Sequence, residues 1–306
     1  MDADSLFITT VEQDELDLAF VHIRDDPACA DDRAYLEGAW AFYRPLADRH
    51  FHDQLQRQGQ FQGRAWELRL AWTIHALGLV VTTRRPAGPD LTVSSARDIH
   101  FEAVAPQPTG KLLENDRRAR SGFAPVPESD MILRATSAIR DKRAQYRRHV
   151  ESGAVRSDEP FVIAISGANI SQATITKGVH WILKPLFAVG EFYVTVEIDR
   201  DGPGEKGYIP TPERRSSRGA PVDSALFMDN RASEVSAVLF SPHHIKNRPE
   251  SVGRPPGSDF LIIHNPFAKN PLPRSLLACG REYDARGDEL VLLNDWRPEH
   301  AEASPA

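Results

Sequence analysis

No apolar run in this 306-residue sequence approaches the roughly 18 residues that a membrane-spanning helix needs. The start, Met1-Asp2-Ala3-Asp4, lacks the basic stretch of a secretory signal. Cysteine is scarce. Cys29 and Cys279 lie far apart, with no CxxC and no histidine at metal-ligand spacing. They read as reduced thiols, a disulfide being the lesser alternative. Together these absences predict a cytoplasmic protein with no membrane partner. Internal repeats and long low-complexity tracts are also missing. An excess of positive charge is lacking too: the net charge is −6, which weighs against a wholly basic nucleic-acid binder.

Charge is unevenly spread. Residues 1–40 hold eleven acidic against two basic residues, whereas 105–150 hold ten basic against five acidic. Arg117, Arg118, Arg120, Arg140, Lys142, Arg143, Arg147 and Arg148 fall in the second stretch. A local positive face on an acidic protein can still meet phosphates. An ordinary solvated helix face is the plainer reading of any one arginine.

With 41% hydrophobic residues a sizeable core is expected. Residues 31–58 read as helical with a break at Pro45. The clearest helix spans 61–78, ending at Gly78 as a C-terminal cap. Strand-like segments follow at 79–83, 90–94 and 99–105, with a turn at Arg85-Pro86-Ala87-Gly88-Pro89 and a stop at Pro106. A loop is predicted over 106–128, a helix over 129–150 and a buried strand over 161–165. Beyond these, a helix is expected at 174–187 and strands at 192–198, 235–240 and 259–264. Residues 200–225 read as a Gly/Pro/Arg-rich loop, and the tail after Pro298 as disordered.

Three carboxylates draw attention. Glu67 shares one helix face with Leu70, Ala71 and Ile74, and a carboxylate in an apolar stripe needs a partner or a metal. Asp90 follows Gly88-Pro89 at a strand start. Glu102 stands inside the otherwise mostly apolar Ile99-His100-Phe101-Glu102-Ala103-Val104. Plainer readings stay open for each: Glu67 salt-bridged to Arg64, Asp90 a turn residue, Glu102 on an edge strand facing solvent with His100. Taken jointly, adjacent strands would bring Asp90 and Glu102 together, and a divalent cation would relieve their repulsion. Hard oxygen ligands select Mg²⁺ or Mn²⁺.

Trp66-Glu67-Leu68, the strand after Gly78, Pro89-Asp90-Leu91 and Phe101-Glu102-Ala103-Val104 resemble the PD-(D/E)XK (restriction-endonuclease-like) nuclease superfamily. The order helix, three strands, helix, strand over about 61–165 is similar too. The resemblance implies an α/β fold with a mixed central sheet flanked by helices. It divides the chain into a helical segment at 1–60, a nuclease core at 61–170 and an α/β extension at 171–306. It also implies a Mg²⁺ (or Mn²⁺) site on Glu67, Asp90 and Glu102 and hydrolysis of phosphodiester bonds. The family's lysine would fall two residues after Glu102, where Val104 stands. Lys142 is the expected substitute. It shares a helix face with Ala135, Ala138, Ile139, Gln145 and Tyr146, and Gln145 is placed to bond water or phosphate. A lysine whose stem packs on the sheet while its ammonium reaches water is the alternative.

The implied partner is nucleic acid, DNA before RNA, met by the basic loop and helix at 111–148. Oligomeric state stays open, a homodimer included. A catalytically inactive member of the fold, or a carboxylate-pair hydrolase such as a glycosidase, competes with the nuclease reading. His243-His244, His264-Asn265-Pro266, Ser166-Gly167 and the glycine-rich 202–207 are weaker candidates. Trp40, Trp66 and Trp72 read as core.

Overall fold

A computed structural model describes residues 5–83, 87–122, 124–176, 178–194, 206–215, 219, 221–287 and 289–297. Helix α1 (Leu18–Asp25) starts where the Asp17 carboxylate accepts from the Ala19 amide. Helix α2 (Ala30–Tyr43) stops just before Pro45, and α3 (Phe51–Gln56) follows after a turn. Helix α4 (Phe61–Ala76) ends at Gly78, whose φ of 82° provides the left-handed exit.

Strands β1 (Val81–Thr82), β2 (Leu91–Val93) and β3 (Ile99–Val104) come next. Residues 84–86, including Arg85 and Pro86 of the expected turn, lie outside the described residues. Helices α5 (Lys111–Ser121) and α6 (Glu128–Glu151) cross to β4 (Phe161–Ser166). Helix α5 corrects the expected loop at 106–128. Its sequence is mostly charged, and among its described side chains Leu112 alone is an apolar residue buried in the core.

Of the helix expected at 174–187, only a 3₁₀ turn at Trp181–Leu183 and α7 (Lys184–Phe187) form. The expected loop at 200–225 instead carries strands. β5 (Val189–Val194) pairs with β6 (Lys206–Pro210), and β7 (Glu213–Arg215) with β8 (Pro221–Asp223). Then follow β9 (Ala237–Ser241), β10 (Leu261–His264), β11 (Arg281–Arg286) and β12 (Glu289–Asp295). The sequence reading had no strand at β11 or β12. The tail from residue 298 lies outside the described residues.

Eight strands form one mixed sheet in the order β1-β2-β3-β4-β9-β10-β11-β12. β3, β4 and β9 run parallel, and β2 and β10 run against them. The sheet therefore continues through the second half of the chain. Gly280 makes the tight entry to β11: its φ is 61°, and a Cβ there would stand 2.1 Å from the Phe260 carbonyl oxygen.

Alternation along the strands builds two cores. Phe101, Val162, Ala164 and Leu239 pack with α2 and α4. Phe161, Ile163, Ile165 and Phe240 pack with α6 and the Trp181 turn. The Trp66 indole N–H donates to the Ala164 carbonyl at 2.9 Å and fixes α4 across the sheet. Among the described residues no helix is long and apolar enough to cross a membrane.

Candidate functional site

The β2–β3 register sets Leu91 opposite Phe101, which places Asp90 beside Glu102 at the rim of the pair. The Ala103 amide donates to Asp90 Oδ2 at 2.8 Å. β3 lies between β2 and β4, so Glu102 and His100 are both fully buried. They are not solvent-facing residues of an edge strand. His100 is instead held by Glu159 at 2.8 Å and Thr92 at 3.1 Å.

Lys142 on α6 bridges the two rim acids. Its Nζ lies 2.7 Å from Glu102 Oε2 and 3.3 Å from Asp90 Oδ2. Two turns further, His149 Nε2 lies 3.0 Å from Glu102 Oε1. Gln145 sits on the same face between them, half-buried, and no hydrogen bond joins it to the acids among the described residues. Val104 faces the same way as Glu102 and packs against the α6-side core.

Burial raises the Glu102 pKa, and the charge of Asp90 adds to the rise against His149 and Lys142. Burial works to lower the Lys142 pKa, but Asp90 and Glu102 together outweigh it and hold the ammonium above its ordinary value. Asp90 keeps 21% of its side chain in solvent and Lys142 15%, so this cluster opens at the rim.

Glu67 occupies the other face. Helix α4 is buried on nearly every side, including Arg69 and Thr73, so burial alone does not single Glu67 out. Its carboxylate accepts from the Tyr43 hydroxyl and pairs with Arg64 Nη1 at 2.6 Å. Arg64 also bonds Gln54 and approaches Asp48 at 4.0 Å. Burial pushes the Glu67 carboxyl up to about 7, helped by the charge of Asp90 and opposed by Arg64 and Tyr43. Glu67 thus comes from the α4 layer and Glu102 faces the α6 layer, with Asp90 close enough to act on both. Among the described residues the three carboxylates do not all bring donor atoms within 4.8 Å of one another: Asp90 and Glu102 share Lys142, while Glu67 is ion-paired to Arg64.

Among the described residues, one group of three His, Cys or acidic side chains has donor atoms all within 4.8 Å, and it is His22, Asp26 and Cys29. Its donors are softer than an Mg²⁺ site wants, and Lys246 Nζ stands 2.6 Å from His22 Nε2.

The basic stretch is partly neutralised. Arg140 pairs with Asp141 at 3.2 Å, and Arg143 and Arg147 share Glu234 at 2.8 and 3.7 Å. Arg117, Arg118 and Arg148 are exposed.

The weaker candidates have structural roles. His244 caps a 3₁₀ turn at Ile245–Asn247, and His264 is buried against Glu282 at 2.7 Å. Ser166 Oγ accepts from the Ala168 amide. Gly207 sits in β6, and residues 202–205 lie outside the described residues. Trp40 and Trp66 are buried, Trp72 is partly buried against the same core, and both cysteines are buried free thiols.

Sequence reasoning missed His149 and Tyr43. His149 stands seven residues after Lys142, and that spacing is the signal that marks it. Tyr43 carries no such local mark. No protein-family model, no curated protein and no solved structure matches this chain.

Proposed function

We propose that the protein is a metal-dependent nuclease with a restriction-endonuclease-like core, hydrolysing phosphodiester bonds of nucleic acid at the Asp90–Glu102 rim. The observation that carries this reading is Lys142: it reaches from α6 to both acids and brings a cation to the rim beside Val104. An order of helix, three strands, helical crossover and strand supports it as well.

Asp90 and Glu102 offer only hard carboxylate oxygens on paired strands, with Asp90 open to solvent, and that donor set fits Mg²⁺ or Mn²⁺. The chemistry such an ion supplies is polarisation of a phosphoryl oxygen and acidification of an attacking water. The chain's own residues do the rest. His149 holds Glu102 in one orientation. Lys142 keeps positive charge where negative charge develops on the phosphoryl group. Gln145 offers an amide to water or phosphate from the same helix face. Basic residues of 111–148 that remain exposed contact the nucleic-acid backbone, DNA first.

A second reading, a non-catalytic binding protein of this fold, is favoured by one observation: the oxygens of Glu67 and Glu102 already have protein partners. Nicking of supercoiled plasmid separates the two. The parent should nick with Mg²⁺ or Mn²⁺ and not with EDTA, and Asp90→Asn should lose nicking while keeping its melting temperature. Intact plasmid under every condition with folded parent protein would establish the non-catalytic reading.

A further inference from the structure

The loops that leave the carboxyl ends of β4 and β9 diverge over a groove that the rim cluster does not use. In open α/β sheets such crevices at strand ends are where ligands bind. The groove has two lobes. One, of about 560 Å³, is lined by polar groups including Gln62, Gln107 and Asn169, and its two acids, Asp17 and Asp116, accept from the Ala19, Gly59 and Ser171 amides. The other, of about 640 Å³, is lined by His180, His243, Arg254, Ser258, Arg281 and Arg297. Thr174, Pro242 and Asn247 line both lobes, which therefore adjoin.

Charge in the second lobe is one-sided. Arg297 is tied to Asp295, with contacts of 2.8 and 2.5 Å. The Arg281 guanidinium lies over the Tyr283 ring, 5.9 Å from its centre, and Arg254 is exposed; among the described residues neither makes an ion pair. Asp259, the acid lining this lobe, is already held by Arg69 at 2.6 Å and Ser241 at 2.5 Å. Arg254 therefore faces the groove with no ion pair among the described residues, and Arg281, set across the strand pair from Asp295, adds a second guanidinium to its wall. Burial, reinforced by Arg281, keeps His180 neutral with a pKa lowered to about 3. Burial likewise lowers His243, next to Arg254. His180 is packed against Trp181 and Phe240 with its Nδ1 accepting from the Ile182 amide, whereas the buried Nδ1 of His243 has no partner among the described residues. Ser258 adds a buried hydroxyl that has no partner.

We infer that this groove binds a single strand of nucleic acid, its phosphates held by Arg254 and Arg281, with a base taking the place over the Tyr283 ring that the Arg281 guanidinium now occupies. The ligand class rests on the nuclease reading; the groove and its charge do not. Each lobe has the volume of a small-ligand site, which suits a few nucleotides of one strand. Arginine contacts to phosphate with an aromatic platform are the usual means of holding a strand without reading its sequence.

The test is fluorescence anisotropy of the full chain with a labelled single-stranded oligonucleotide, in EDTA, across a salt series. The parent should bind. Arg254→Gln/Arg281→Gln should weaken binding about tenfold or more and make the log–log salt slope shallower by about one to two. Arg254→Gln alone, at an exposed position, should weaken it with an unchanged melting temperature. Equal binding by parent and both variants overturns the proposal. So does inorganic phosphate competing as well as the oligonucleotide at equal phosphate, which would mean a lone-anion site. Arginine-dependent binding with no plasmid nicking would sink the nuclease reading and keep the groove. Nicking with arginine-independent binding would do the reverse.

Discussion

Two charged networks flank the central sheet, and they differ in access. At the rim, Asp90, Glu102, Lys142 and His149 keep contact with solvent through Asp90, Lys142 and His149. Inside, Arg69 spans Asp259 at 2.6 Å, Ser241 at 2.9 Å and Glu250 at 3.8 Å; Arg69 is only 1% exposed, and Asp259, at 5%, is the one member that touches the groove wall. Each network pairs carboxylates with a cation. Charges sealed from water hold elements together, while charges at a rim can exchange a protein partner for a substrate or an ion. The comparison teaches that a buried ion pair is weak evidence of function until its access is known.

The largest expected effect breaks the sealed network. Arg69→Met leaves Asp259 buried without its cation and should cost about 3–5 kcal/mol, read from denaturant unfolding. Arg69→Lys should recover little of this, because Arg69 reaches Ser241 through Nη1 and Asp259 through Nη2, a planar fork that a compact ammonium on a differently shaped stem does not reproduce.

Glu67 gives the next effect. Its pKa rises from 4.5 to about 7 on folding, so its contribution is stabilising below pH 4.5 and is lost as pH climbs through 7. Glu67→Gln should remove that dependence. Its stability relative to the parent should rise between pH 5 and pH 8 by on the order of 3 kcal/mol at most. Parallel melting curves for the two proteins across this range would contradict the assigned burial.

Lys142→Ala should cost less, about 1–3 kcal/mol, since Glu102 keeps His149 and Asp90 keeps water. Adding Glu102→Gln to Lys142→Ala should recover part of the loss. An additive double variant would mean that the two side chains do not interact.

Much of the fold was legible because the elements that position the rim are locally specified. Gly78 ends α4, the apolar run Phe161–Ile165 marks β4, and Lys142 lies on a helix whose face repeats at three and four residues. Asp90 and Glu102 were brought together by strand order alone. What sequence could not supply was the layer each side chain enters. Glu67 seemed to share an apolar face, but α4 is enclosed all round, so its periodicity carried no direction. Two of the groups that define its state, Tyr43 and Asp90, come from another helix and from the turn before β2. β11 and β12 escaped because they are half-exposed and rich in charge. The Arg69–Asp259–Ser241 network joins residues about 170 to 190 positions apart, and no local pattern links them.

The rim and the sealed network can be set against each other directly. Plasmid nicking with Mg²⁺ should be measured for Asp90→Asn and Ser241→Ala, each shown folded by its melting curve. Nicking lost in Asp90→Asn and kept in Ser241→Ala is the predicted result. Nicking kept in Asp90→Asn and lost in Ser241→Ala would contradict it and move the reactive centre to the sealed side of the sheet.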